Sequence, residues 1–244
     1  MKIMIKNNYE EMSKQVAYDI IETMQLYNKP LMSPATGDTT TGLYKELVHL
    51  IREQQTYVSE WYFVSLDEWM NMNEKDEKST RYRLNVQLFQ PLNIKDERIC
   101  FFDGRTDDPQ HECEGVEKFI HQHGGIDLAI LGLGLNGHVG MNEPHTSFSS
   151  RSHIAALDDV TQQASAKKYA KDPALFTRGL TLGLATLFEA KHIFLLASGA
   201  HKAAIIKKIL EAGITEELPA SLLRRHEDLR IYLDKEAAGL IEKE

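Results

Sequence analysis

Two cysteines, Cys100 and Cys113, are too few in 244 residues for a disulfide framework or a cysteine-built metal cluster, so both read as structural thiols. Long apolar runs are missing too. No stretch of 18 apolar residues occurs, which excludes a spanning helix, and MKIMIKNNYEEMSK at the start turns polar and acidic too soon for a signal peptide. These features predict a cytoplasmic protein with no membrane partner. Basic residues are outnumbered, 28 against 36, giving a net charge of −8 that argues against a nucleic-acid partner. A small anionic substrate stays compatible, since a few clustered lysines outweigh a distant net charge. There is no low-complexity tract and no internal repeat, and the length suits one α/β domain over residues 1–244.

What is present is an alternation of two periodicities. Residues 9 to 28 place Met12, Val16, Ile20 and Met24 four apart, the stripe of one helix. Short apolar runs follow at 31–33, 61–66, 98–102, 126–131, 192–197 and 229–233. Between and after them, apolar residues three or four apart predict helices at 41–54, 80–89, 112–122, 160–170, 180–189, 200–211 and 234–242. Strands alternating with helices imply a doubly wound, mostly parallel sheet with helices on both faces. Ligands of such sheets bind beyond the carboxyl ends of the strands, so chemistry is sought just after each run.

Three such places stand out. After the run at 31–33 comes PATGDTTTGLYKEL, where Gly37 can turn and a threonine can cap a helix whose first N–H groups would receive a phosphate; an ordinary capped helix reads the same way. After the run at 61–66 come Asp67 and Glu68, either a general base at the crevice or a cap of the next turn. After the run at 126–131 comes LGLGLNGHVGMNEP, with Gly132-x-Gly134-x-x-Gly137 in dinucleotide-loop spacing. That motif requires a long helix at its third glycine and an acidic residue about 20 positions on. Asp158 and Asp159 supply the acid, but Gly140, Asn142 and Pro144 would break the helix. The segment therefore predicts an exposed loop carrying His138 and Glu143, with no nicotinamide or flavin. His138 then reads either as an oriented acid/base group or as a histidine bonded to backbone. No second histidine or cysteine stands beside it at metal-ligand spacing.

At these residues the chain resembles the glucosamine-6-phosphate deaminase/isomerase family, and its galactosamine-6-phosphate isomerase branch more closely. The resemblance spans nearly the whole chain through ATGDTTTGLYKEL (35–47), SLDEW (65–69), GGIDLAILGLGLNGHVGMNEP (124–144), TRGLTLGLATLFEA (177–190) and ASGAHKA (197–203). It implies a modified Rossmann-like fold and a phosphate loop at Thr36, Gly37, Asp38 and Thr39. Further phosphate contacts are implied at Lys202 and at Lys167, or its neighbour Lys168. It also implies a proton-shuttling Asp67, a ring-opening His138 and a supporting Glu143, with no cofactor or metal. Two positions depart from the pattern: Asp38 stands where the family usually has a small residue, and Asn136 stands where glucosamine-specific members carry aspartate. NGH followed by NEP resembles the galactosamine branch, so the expected reaction converts galactosamine 6-phosphate to tagatose 6-phosphate and ammonia. Its proposed residue-level basis is that Asn136 lacks charge beside His138 and can donate to a substrate hydroxyl.

Three alternatives accompany that expectation. Glucosamine 6-phosphate would give fructose 6-phosphate. A 6-phosphogluconolactonase has a similar fold and loop but no use for a C2 proton shuttle. A sugar-phosphate sensor would carry a DNA-binding helix pair before the first strand, for which residues before 33 leave no room. The expected partner is thus a small sugar phosphate, with assembly into a homo-oligomer left open.

Overall fold

The structure is a computed structural model describing residues 1–169 and 172–241, apart from the side chains of Lys168 and Tyr169. Strand β1 (Lys2–Lys6) precedes helix α1 (Tyr9–Met24), whose N-cap Asn8 accepts from the Glu11 N–H and whose stripe of Met12, Val16, Ile20 and Met24 is fully buried. Then follow β2 (Leu31–Ser33), α2 (Asp38–Glu53), β3 (Tyr62–Val64), β4 (Asp67–Trp69) and α3 (Thr80–Leu84), which runs on through a π-helical turn, Asn85–Phe89. The middle of the chain supplies β5 (Ile99–Cys100), α4 (Pro109–Gln122), β6 (Leu128–Gly132), β7 (His153–Ala156) and α5 (Asp159–Tyr169). The last part supplies β8 (Arg178–Thr181), α6 (Leu184–Phe188), β9 (His192–Ala197), α7 (Ala203–Glu211) and β10 (Leu229–Asp234).

Seven strands form one sheet in the order β1-β10-β9-β6-β2-β3-β5, and every pairing in it is parallel. Because strand side chains alternate, Leu128 and Ile130 of β6 face a layer built by α1 and α2, while Ala129 and Leu131 face a layer built by α4, α6 and α7. Both faces are buried, which is why these strands read as unbroken apolar runs. From β2 the chain winds outward through β3 to β5; from β6 it winds the other way through β9 to β10. The reversal lies between β2 and β6, and a crevice opens there at the carboxyl ends of the strands. No helix among the described residues is long and apolar enough to cross a membrane. Burial pushes the Cys100 and Cys113 thiols up, to about 12 and about 11, which suits packing roles.

The expected strands all join this sheet, and three differences have physical causes. First, β1 was not expected: its Ile3 and Ile5 remain exposed, and it is held at the edge by pairing with β10 rather than by a buried face. Second, the expected helix at 180–189 shrinks to α6, because residues 178–181 pair as β8 between β4 and β7 in a small antiparallel sheet. Third, where a helix was expected at 234–242, Asp234 ends β10, residues 235–240 are turns and residue 242 lies outside the described residues; the Asp234 carboxylate takes the Ala237 N–H at 2.8 Å and is also spent on the Gly199 N–H at 3.0 Å.

Candidate functional site

A cavity of about 350 Å³ occupies the crevice at the reversal point, within the size range of small-ligand sites. One end is built by the β2–α2 turn. Gly37 is the N-cap of α2 and has no side chain, so the first N–H groups of the helix are left for a ligand, with the dipole favouring an anion. Thr36, Gly37 and Thr39 line the cavity. Asp38 does not. It is exposed and lines a separate cleft with Tyr9, Glu10 and Ser13, so its carboxylate points away from the anion-binding turn and only its backbone belongs to that turn. The first turn of the helix carries it off the anion-binding side, where its charge would repel.

Lys202 reaches the same cavity from the loop after β9, and its ammonium donates to the Leu133 carbonyl at 2.5 Å. That loop is fixed from β10: Asp234 accepts from the Gly199 N–H and from Ser198 Oγ. His201 also lines the cavity. On α5 the lining residues are Thr161, Ala164 and Ser165, three and four apart. Lys167 is exposed and is not among them; two positions beyond Ser165 it lies about 200° around the helix. The side chain of Lys168 lies outside the described residues.

The acidic wall comes from β4. Burial pushes the Asp67 carboxyl up to about 6, partly offset by the Thr80 hydroxyl, which donates to Oδ1 at 3.2 Å, and by the nearby His138. Such a group is ionised at neutral pH and more basic than an ordinary carboxylate. Glu68, alternating to the other side of β4, is fully buried. It accepts from the N–H groups of Trp69, Thr80 and Arg81, so the capping role considered for Asp67 falls instead to its neighbour, at the start of α3. Burial raises Glu68 to about 7. Thr80 was not expected at the site, and nothing in a serine-threonine pair at a helix start distinguishes it.

The glycine loop faces Asp67 across the cavity. No helix opens at Gly137; the chain makes turns and one isolated bridge, Val139 to Asn142. Gly137 has φ +89°, the left-handed region that favours glycine. Gly134 serves a different purpose. A Cβ there would stand 2.3 Å from the His138 ring, so its missing side chain makes room for an imidazole rather than for a pyrophosphate. His138 lines the cavity, while Asn136 and Glu143 stand behind it. His138 Nδ1 lies 2.7 Å from Asn136 Oδ1 and 3.6 Å from Glu143 Oε2, with Thr161 Oγ1 at 3.3 Å. The Asn136 Nδ2 group donates to Glu143 Oε2 at 2.6 Å and to Asp158 Oδ2 at 2.5 Å. Both amide hydrogens are thereby engaged behind the ring, an arrangement that leaves neither for the donation to a substrate hydroxyl that was expected of Asn136. Asp158 replaces in space the negative charge that Asn136 lacks in sequence. Asn142, fully buried, donates to the Val139 and Leu182 carbonyls and holds the NEP turn in place.

Fold and site together define a doubly wound α/β protein with an anion-receiving helix start, a basic carboxylate and an oriented histidine around one crevice. The chain belongs to the glucosamine-6-phosphate isomerase/6-phosphogluconolactonase family, whose model matches residues 8–231. A glucosamine-6-phosphate deaminase of Bacillus velezensis is 36% identical over 239 residues, covering 98% of this chain and 99% of that protein. Glucosamine-6-phosphate deaminase 1 of Bacillus subtilis is 35% identical, covering 98% and 99%. A solved monomeric glucosamine-6-phosphate deaminase superposes with a TM-score of 0.95 at 35% identity, over 98% of this chain and all of that one. The 6-phosphogluconolactonase of Trypanosoma brucei, at 21% identity and a TM-score of 0.77, shares the fold.

Proposed function

We propose that this chain is an amino sugar phosphate deaminase that converts glucosamine 6-phosphate to fructose 6-phosphate and ammonia. The observation that carries this reading is a single cavity lined by Asp67, His138, Thr36, Gly37, Thr39 and Lys202. The full-length likeness to deaminases of that substrate supports the choice of epimer.

The chemistry follows from the groups present. The phosphate sits at the start of α2 with Lys202 beside it, a handle whose binding energy orients the distant carbons. Imidazole is suited to exchanging protons near neutral pH, so His138 moves the proton between O1 and the ring oxygen as the sugar ring opens. Asp67 then removes the proton from C2 and returns it to C1 through an enolamine. Hydrolytic loss of ammonia from C2 leaves the ketose phosphate. A carboxyl pushed up to about 6 suits the C2 step, because basicity near the working pH gives a base that is both ionised and strong.

The galactosamine epimer rests on one observation, Asn136 in the NGH motif. The physical support expected for it is weakened, since the amide is turned away onto two carboxylates and Asp158 restores the charge. Ammonia release from each epimer, with lactone hydrolysis as a third arm, tests the reading. A kcat/KM at least ten-fold higher for glucosamine 6-phosphate is expected. Preference for the galactosamine epimer would reverse the assignment, and lactone hydrolysis alone would replace the reaction.

A further inference from the structure

We propose that Asp158 is a positioning residue for His138, acting through the Asn136 amide so that Asp158 and Glu143 together fix the imidazole tautomer. The inference rests on the acid–base role proposed above for His138. It begins with the orientation of one amide. Asn136 Nδ2 lies between Glu143 Oε2 at 2.6 Å and Asp158 Oδ2 at 2.5 Å. Turning the amide over would set its oxygen against two carboxylates, so the network assigns nitrogen to that side and oxygen to the other. Asn136 Oδ1 then accepts from the His138 backbone N–H at 3.1 Å and faces His138 Nδ1 at 2.7 Å. An amide oxygen accepts and cannot donate, so the hydrogen of the neutral ring resides on Nδ1. Nε2 keeps its lone pair for proton exchange. Each carboxylate polarises the amide it binds and strengthens the acceptor presented to the ring.

Asp158 also has an ordinary role as a helix cap, and the two roles use different oxygens. Oδ1 accepts the Thr161 N–H at 2.8 Å and caps α5, whereas Oδ2 takes the Asn136 amide. Serine and asparagine cap helices about as well as aspartate, so a residue needed only as a cap tolerates either. A residue needed for its charge tolerates neither. Ionisation suits the positioning role. Burial opposes it, but the Thr161 N–H, the Asn136 amide and nearby His138 together hold the Asp158 carboxyl below its ordinary range.

The test uses Asp158→Ser, Asp158→Asn, Asn136→Asp and the exchange variant Asn136→Asp/Asp158→Asn. Long-range 1H–15N NMR of the His138 ring reads the tautomer without turnover. Steady-state ammonia release across pH reads kcat and KM. In the wild type the Nδ1–H form is expected, and Asp158→Ser should mix the tautomers. Its kcat should fall roughly 10- to 100-fold with KM nearly unchanged, the scale on which outer partners that orient a histidine act. Asn136→Asp alone sets three carboxylates together, which forces one to take up a proton, and should also lose activity. The exchange variant returns to two carboxylates and one amide and should recover at least ten-fold over Asn136→Asp. Wild-type tautomer and pH profile in Asp158→Ser would reduce Asp158 to a helix cap, and an exchange variant no better than Asn136→Asp would likewise overturn the proposal. If the wild type releases ammonia from neither epimer, the functional reading fails, while the NMR arm still decides the positioning.

Discussion

Asp67 is caught between stability and basicity. Its carboxyl is pushed up by burial from an ordinary 3.8 to about 6, so the folded chain holds its proton more tightly than the unfolded chain does. The sign follows directly. The stability this preference contributes is fully present below about pH 4 and is lost as pH rises through 6. At pH 7.5 the folded protein therefore carries a cost that Asp67→Asn removes. The variant is expected to gain about 1–2 kcal/mol by denaturant unfolding at that pH, after allowing for partial solvent access, and nothing at pH 3.5. It should also lose C2 proton exchange in deuterated solvent almost entirely, since asparagine keeps the shape without the basicity. For the wild type, kcat/KM should fall on the acid side with a midpoint near 6. Retained C2 exchange in Asp67→Asn would remove Asp67 from the proton path, and equal stability at both pH values would remove the burial argument.

At the scale of elements, the glycine loop shows what can be learned from a sequence and what cannot. Turn formers after Gly137 were enough to deny it a helix, and that denial separated it from a dinucleotide loop. The purpose of Gly134 was not legible, because the imidazole it accommodates stands four residues later and meets it only once the loop closes through the Gly134 N–H to the His138 carbonyl. Gly134→Ala is accordingly expected to lower kcat at least 100-fold by displacing His138, while inorganic phosphate still binds at the start of α2; wild-type turnover would show that the ring can move aside. Six strands were legible as apolar runs because both faces of the large sheet are buried. The small sheet was not, since β4, β7 and β8 are three or four residues long and are held by antiparallel pairing between distant segments, Asp67 to Thr181 and Thr181 to His153. Asp158 was equally hidden as a neighbour of Asn136, since only the return of the chain through β7 brings it there. Asp67, His138 and the turn after β2 follow strand ends, whereas Thr80, the α5 residues on the cavity wall and those that act from behind depended on tertiary closure.

At the scale of the whole molecule, the order of the strands sets an order of events. The reversal point is made by β2 and β6, which pair with each other within the first part of the chain, with β3 beside β2 and β9 joining β6 later. β1 is in the opposite situation. Among the described residues its sole partner is β10, through pairs such as Lys2 with Arg230, so strands about 225 residues apart in sequence are matched. Closing so long a loop costs entropy before any contact repays it, and such pairings form late. Pulse-labelled hydrogen exchange during refolding should therefore protect the β6 amides before those of β1; simultaneous protection would mean one concerted step. On a ribosome the consequence is sharper. Until β10 has been made, KIMIK waits without its partner strand, its isoleucines exposed, and the lysines that bracket it act as gatekeepers against premature association.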